Sequence, residues 1–248
     1  MDQTTQYGQM NFDLPHDVVK LPSEGKFYKN GKKSVKVGYL TAKDENLIMN
    51  ANQNDNLIKT LLREKIYEPD VNIDELLDVD IQAILIFLRN SSFGPEYTFK
   101  VKDPATNKFF ESSVMLDRVS VLDPEITPNE EGLFEISLTK SNKKVYCRIL
   151  SSKDLQEINN IIEQYPDGVI APVSTTRLER MIVKIEGVDE SKKSEFINNL
   201  PIMDSKHIKK LMAKAEPRLD LKRNVKAPSG ENVEINISFG VEFFRPFF

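Results

Sequence analysis

Residues 81–90, IQAILIFLRN, constrain the fold more than any other part of the sequence. As a helix this segment is apolar on nearly every side, so other elements must enclose it. Its longest unbroken apolar stretch, residues 83–88, is far short of the roughly 18–20 residues that cross a bilayer. The helix is therefore expected at the centre of a packed core, with no membrane insertion. Asp80 stands where it can cap the helix, and Ser91-Ser92-Phe93-Gly94-Pro95 ends it.

Upstream, residues 1–20 read as a polar leader, loose until docked. Leu21-Pro22-Ser23-Glu24-Gly25 is a turn, because proline fixes φ and glycine accepts positive φ. Val35 and Val37 alternate with Lys36 and predict a strand over 34–39. Thr41-Ala42-Lys43-Asp44 has the spacing of a capping box and opens a helix from 42 to about 51. Leu57, Ile58, Leu61 and Leu62 recur at helical spacing, so 56–66 predicts an amphipathic helix.

From residue 96 the texture changes. Strand-like runs at 97–103 and 108–116 flank a turn at 104–107, and a second pair, 133–139 and 143–150, flanks 140–143. Ser151-Ser152-Lys153-Asp154 caps a helix reaching about 165, and 175–183, 190–200 and 205–215 predict three short helices. A hairpin of 218–226 and 232–244 around 228–231 follows. The expected fold is α+β, short helices with antiparallel β-hairpins in a mixed architecture. It divides into a mostly helical region with a flexible leader (1–95) and an α+β region with hairpins, three short helices and a C-terminal hairpin (96–248). Leu40-Thr41-Ala42-Lys43-Asp44 with Ile48 echoes Leu150-Ser151-Ser152-Lys153-Asp154 with Ile158. Strand-to-helix junctions converge on such capping chemistry, and convergence is the reading favoured over duplication.

Hydrophobic residues make up 40% and charged residues 29%, the balance of a chain that buries a core. No basic start followed by an apolar stretch marks a signal peptide, and Cys147 alone allows no intramolecular disulfide, which fits a reducing compartment. The ten glycines are scattered, so neither a phosphate-binding loop nor a dinucleotide fingerprint can be written. No Gly-x-Ser-x-Gly elbow is present. His16 and His207 are the only imidazoles, one in the leader and one on a basic helix, too few and too far apart for zinc. Cys147, inside a strand, reads as a small buried hydrophobe. Helix capping accounts for Asp78 and Asp80, which leaves two-carboxylate hydrolysis as a background alternative. No cofactor and no metal are expected.

Charge is unevenly placed: residues 41–80 are acidic and 201–226 basic. The two segments either complement each other or are solvated; the sharper reading is a docking surface for charged partners. Nucleic acid is not the expected partner, because net charge is −4 and no aromatics interleave the lysines. Phe243, Phe244, Phe247 and Phe248 are costly to expose, so this end either folds back into the core or inserts into a partner. The candidate contact residues are Phe243, Phe244, Arg245, Phe247 and Phe248, with the stripe Lys206, Lys209, Lys210 and Lys214 second. Homo-oligomerisation stays open.

Four segments carry a family resemblance: LPSEGKFY (21–28), VKVGYLTAKDENLI (35–48), LIFLRNSSFGPEYTFKV (85–101) and ISFGVEFFRPFF (237–248). As an ordered set they resemble the baseplate hub protein family of T4-like bacteriophages. Some relatives carry cysteine pairs after the Gly-x-x-Tyr passage; this chain has none between Tyr97 and Tyr146, so a metal-stabilised hairpin is not implied. The resemblance implies a non-enzymatic role, and the length is most similar to the hub assembly factor. Its partners would be the baseplate hub and other tail proteins, in the host cell cytoplasm or the virion tail baseplate. The alternatives are a permanent hub subunit, a carboxylate-based hydrolase and a nucleic-acid binder.

Overall fold

The chain enters the fold through a hairpin that its sequence hides. In the computed structural model, which describes residues 15–51, 57–166 and 168–245, β1 (His16–Lys20) pairs antiparallel with β2 (Ser34–Gly38). Residues 16–20 are thus part of a sheet and not of a loose leader, and His16 sits in a strand with its ring edge-on to Tyr67. Only Val19 of β1 is buried, so the segment has little apolar alternation of its own and is held by β2. Residues 1–14 lie outside the described residues.

The Thr41 amide and hydroxyl meet the Asp44 carboxylate at 2.6 and 2.7 Å, which opens α1 (Ala42–Asn50) as the capping box requires. After α2 (Leu57–Lys65), Ile66 bridges back to Val37. A 3-10 turn at Ile73–Glu75 leads into α3 (Asp78–Phe93). Its N-cap is Leu77, so Asp80 lies inside the first turn and is not the cap. Gly94 ends the helix at φ 81°, a conformation that costs glycine nothing.

The hairpin of β3 (Glu96–Lys102) and β4 (Phe109–Met115) forms as expected, and a two-residue β5 (Val121–Leu122) follows. The second predicted pair is β6 (Phe134–Leu138) with β7 (Lys143–Cys147). Then come α4 (Ser152–Glu163) and α5 (Val173–Met181). The β-branched run after α5 leaves the helix and joins β7 as β8 (Ile182–Ile185), where the sequence predicts helix to 183. The helix expected over 190–200 is a 3-10 turn running into the short α6 (Lys193–Asn198), and α7 (Ile202–Ala215) starts earlier than its pattern. β9 (Arg218–Leu219) pairs with β5, and β10 (Lys222–Lys226) forms a hairpin with β11 (Asn232–Asn236). The strand predicted to 244 stops there; Val241–Phe244 is a 3-10 turn. With these seven α-helices and eleven short strands in small antiparallel sheets among the described residues, the fold is mixed α+β.

Buried apolar residues form two clusters. The first gathers β1, β2 and α1–α3 with Ile237, Val241, Phe243 and Phe244 from far along the chain. The second gathers β6–β8 and α4–α7, and takes Leu77 and Val79 from the start of α3. α3 serves both, with Ile84, Leu85 and Leu88 in the first and Ile86 packed on each.

Four buried aspartates sit in the first turns of helices. Burial alone would push Asp44 up, but bonds from Lys65 and Thr41 outweigh it and hold the carboxyl below the usual range; the Lys65–Asp44 pair spans 2.5 Å, both partners buried. Asp154 is likewise pushed up by burial and held down by a bidentate Arg148 at 2.6 and 2.7 Å and by Ser151. Asp204 accepts the amides of Lys140 and Ser141 at 3.1 and 2.7 Å, which outweigh its burial. Asp80 differs: burial wins and its carboxyl is pushed up, although it accepts the Ser23 amide at 2.9 Å and the Tyr28 hydroxyl. Tyr28 in turn accepts the Leu77 amide at 2.9 Å, so one phenol links the 21–28 turn to the start of α3. Tyr28→Phe strands both partners and is expected to cost about 1–3 kcal/mol in denaturant unfolding.

Candidate interaction surfaces

Aromatic side chains at the far end of the chain are interior groups. Phe243 packs against Phe239, Tyr97 and Phe244, with ring centroids 4.8, 5.2 and 5.3 Å away. Beneath them lies Arg89, fully buried. Its guanidinium donates to the Gly94 and Glu96 carbonyls at 2.7 and 3.0 Å and lies 5.0 Å from the Tyr97 ring centroid and 5.9 Å from that of Phe243. A buried cation is thus stabilised by carbonyl dipoles and ring faces. Arg245 donates to the carbonyls of Ile48 at 2.7 Å, Met49 at 3.0 Å and Ala51, occupying acceptors that the end of α1 leaves unused. Of the two fates open to this end, folding back is the one that Phe243, Phe244 and Arg245 adopt. The two phenylalanines present no surface. Phe247 and Phe248 lie outside the described residues.

The lysines of α7 are divided. Lys206, Lys209 and Lys210 are exposed, opposite the buried Ile208, Met212 and Ala215. Lys209 reaches Ser174 Oγ at 2.5 Å, and Lys214 is drawn aside into an ion pair with Glu125. The same helix begins with two apolar side chains in solvent, Ile202 at 74% exposure and Met203 at 63%. Sequence periodicity over 205–215 misses these two because it starts the helix too late. Carboxylates of the acidic segment pair close to home: Asp44 with Lys65, Glu64 with Lys43 and Asp74 with Lys59. Among the described residues no ion pair joins residues 41–80 to 201–226, so the basic face is not neutralised by the acidic segment.

A cleft of about 470 Å³ runs between the starts of α3 and α4 and the 216–222 segment. Leu77, Val79, Leu150 and Leu155 are part of its apolar lining, and Asp78, Glu216 and Arg177 are among its polar groups. Burial pushes the carboxyls of both Glu216 and Asp78 up. Burial also pushes the Cys147 thiol up to about 12, which suits a core side chain and not a nucleophile. Among the described residues no group of three or more His, Cys, Asp or Glu could hold a metal ion, and no helix is long and apolar enough to cross a membrane.

No curated protein and no solved structure matches the chain. One family model does, that of the T4 bacteriophage base plate protein, and it runs from the first strand to Arg245. It therefore spans both hydrophobic clusters and every element that positions the surfaces described above. The chain belongs to the T4 bacteriophage base plate protein family, matched over residues 15–245.

Proposed function

We propose that this baseplate protein is a hub assembly factor that works through protein contacts, with the exposed face of α7 as its contact surface. The observation that carries the reading is the pairing of bare Ile202 and Met203 with Lys206, Lys209 and Lys210 on one helix. Apolar side chains in solvent gain from being covered, while the lysines set encounter rate and partner choice. A surface of mixed polarity and modest size suits a factor that must also release its clients. The host cell cytoplasm is the place of action on this reading, and no chemistry is assigned to the protein.

Affinity purification of the tagged chain from infected cells, with mature particles analysed alongside, tests the proposal. Hub components in the pulldown and no chain in the particle are expected. The chain at fixed stoichiometry in mature particles overturns the transient role in favour of a permanent hub subunit. No tail protein in either sample overturns the hub role altogether. The triple substitution Lys206→Glu, Lys209→Glu, Lys210→Glu is expected to weaken capture of hub components about tenfold or more, because like charges now meet across the contact.

A further inference from the structure

The two hydrophobic clusters are built on one plan. Each begins with an antiparallel hairpin, β1–β2 or β6–β7, and passes through two helices. The chain then returns to the second strand of the hairpin, Ile66 on Val37 and Ile182 on Cys147. Next comes a helix whose first-turn aspartate holds the turn of that same hairpin, Asp80 on Ser23 and Asp204 on Lys140 and Ser141. A second hairpin follows, β3–β4 or β10–β11, closed by matching backbone bonds: Leu116 N–H to the Pro95 carbonyl at 2.8 Å and Ile237 N–H to the Leu221 carbonyl at 3.0 Å.

Sequence follows the same correspondence. Thr60, Leu62 and Ile66 match Thr176, Leu178 and Ile182 in spacing, and this alignment pairs the two residues that the sheets already equate. Ile73, Leu76, Asp80, Ile84 and Leu88 align without a gap on Ile197, Leu200, Asp204, Ile208 and Met212. The helix-opening aspartates Asp44 and Asp154 each keep a cation, but from different places. Where the first half has Lys65 the second has Met181, and where the second has Arg148 the first has Gly38. A side chain at Gly38 would meet the Tyr67 hydroxyl at 2.1 Å, so the first half must draw its cation from elsewhere. Convergent capping accounts for the Thr41 and Ser151 motifs but not for this shared order of elements.

The halves join head to tail, and the joint uses different surfaces on each. Ser152, first residue of α4, donates its amide to the Leu76 carbonyl at 2.9 Å and its hydroxyl to the Ile73 and Asp74 carbonyls at 3.1 and 3.2 Å. Beside it Leu77 and Val79 are buried in the same cluster as Ile149 and Leu150. Such a joint leaves one unused copy of each surface. The counterparts of Leu77 and Val79 are Pro201 and Met203, both exposed, and the counterpart of Ser152 is the exposed Ala42. Gln82 and Leu155 line the cleft at the joint, and their counterparts, Lys206 and Glu45, are exposed and opposite in charge.

We propose that the chain is a tandem duplication whose internal joint repeats between molecules, the start of α7 in one copy seating on the start of α1 in the next. In the purified chain the occupant of the exposed end of α7 is then a second copy of this chain, and a hub client would compete with it for that surface. Such a heterologous contact closes into a ring or propagates as a filament. This concerns the same helix as the hub reading but needs no hub protein, so it is measured on the purified chain alone.

Sedimentation of the full chain at low salt is expected to show mass rising with concentration. Lys206→Glu and Glu45→Lys each lower the association constant by about tenfold or more, while the melting temperature stays at the wild-type value because both residues are exposed. Mixing the two single variants restores association towards the wild-type level, because every contact between unlike copies again pairs opposite charges. Ala42→Cys with Met203→Cys in one chain gives a disulfide-linked ladder on mild oxidation. A wild-type chain that stays monomeric at every concentration, with no ladder from the cysteine variant, overturns the joint between molecules.

Discussion

Phe244→Ala lowers the stability of the folded chain by about 3–5 kcal/mol, the usual cost of emptying a fully buried aromatic site. The ring is completely enclosed, edge-on to Phe243, in a cluster that also holds Val35, Val37 and Leu61. Little of the void can collapse, because the neighbours come from separate elements, each pinned by its own hydrogen bonds. For a chain of this size the melting temperature falls by roughly 2–4 °C per kcal/mol, so a drop of about 10 °C is expected. Phe109→Ala is the control: that ring is exposed, and its loss stays within about 0.5 kcal/mol. Thermal and urea unfolding of the two variants give the comparison. A Phe244→Ala protein that melts like wild type but loses capture of hub components would return this end of the chain to the role of a partner anchor.

Lys65→Met is expected to cost about 3–5 kcal/mol near neutral pH, because it leaves the Asp44 carboxylate buried without its cation. The sign of the pH dependence separates this cause from lost packing. In the wild type Asp44 titrates below its unfolded value, so its contribution is complete above about pH 4 and is lost as pH falls through the lower folded value. Without Lys65, burial is opposed by the Thr41 bonds alone, and the folded value is expected to rise above the unfolded one. The penalty is then absent in acid and grows as pH rises through that raised value. Adding Asp44→Asn to Lys65→Met should recover much of the loss, since the amide oxygen still accepts from Thr41 and no charge remains buried. Urea unfolding at about pH 4 and pH 7 on the two variants checks both statements, and equal penalties at the two pH values would assign the loss to packing alone.

What the sequence disclosed was local. Both capping boxes, the β3–β4 turn and the enclosed helix at 81–90 depend on residues a few positions apart, and all are present in the structure. Long-range effects were hidden. β1 carries almost no pattern because its stability comes from β2 across a long turn, and β8 follows α5 without a breaker, so its β-branched residues read as the end of the helix until the pairing to β7 is seen. Asp80 looks like a cap in one dimension but serves a turn more than fifty positions upstream. The aromatic end could be assigned to core or partner only by seeing Arg89, whose buried charge supplies a reason for rings to gather there. As for the surfaces, the lysines of α7 were readable from spacing. That Lys214 is engaged by Glu125, and that Ile202 and Met203 are bare, was not.

The route of the chain through its first core has a consequence for biosynthesis. The cluster that begins at Val19 is finished by Ile237, Val241, Phe243 and Phe244. While the nascent chain emerges, hairpin β1–β2 and helices α1–α3 leave the ribosome with that side of their core open. At translation rates of about 5–20 residues per second, the gap between Leu116 and Ile237 lasts on the order of ten seconds. The first-made half must wait that long, exposed to chaperones and proteases, for the segment that closes it. Truncated translation products lacking residues 237–245 would keep every residue of the second cluster and leave the first open, so their exposed apolar surface would be confined to the first-made half.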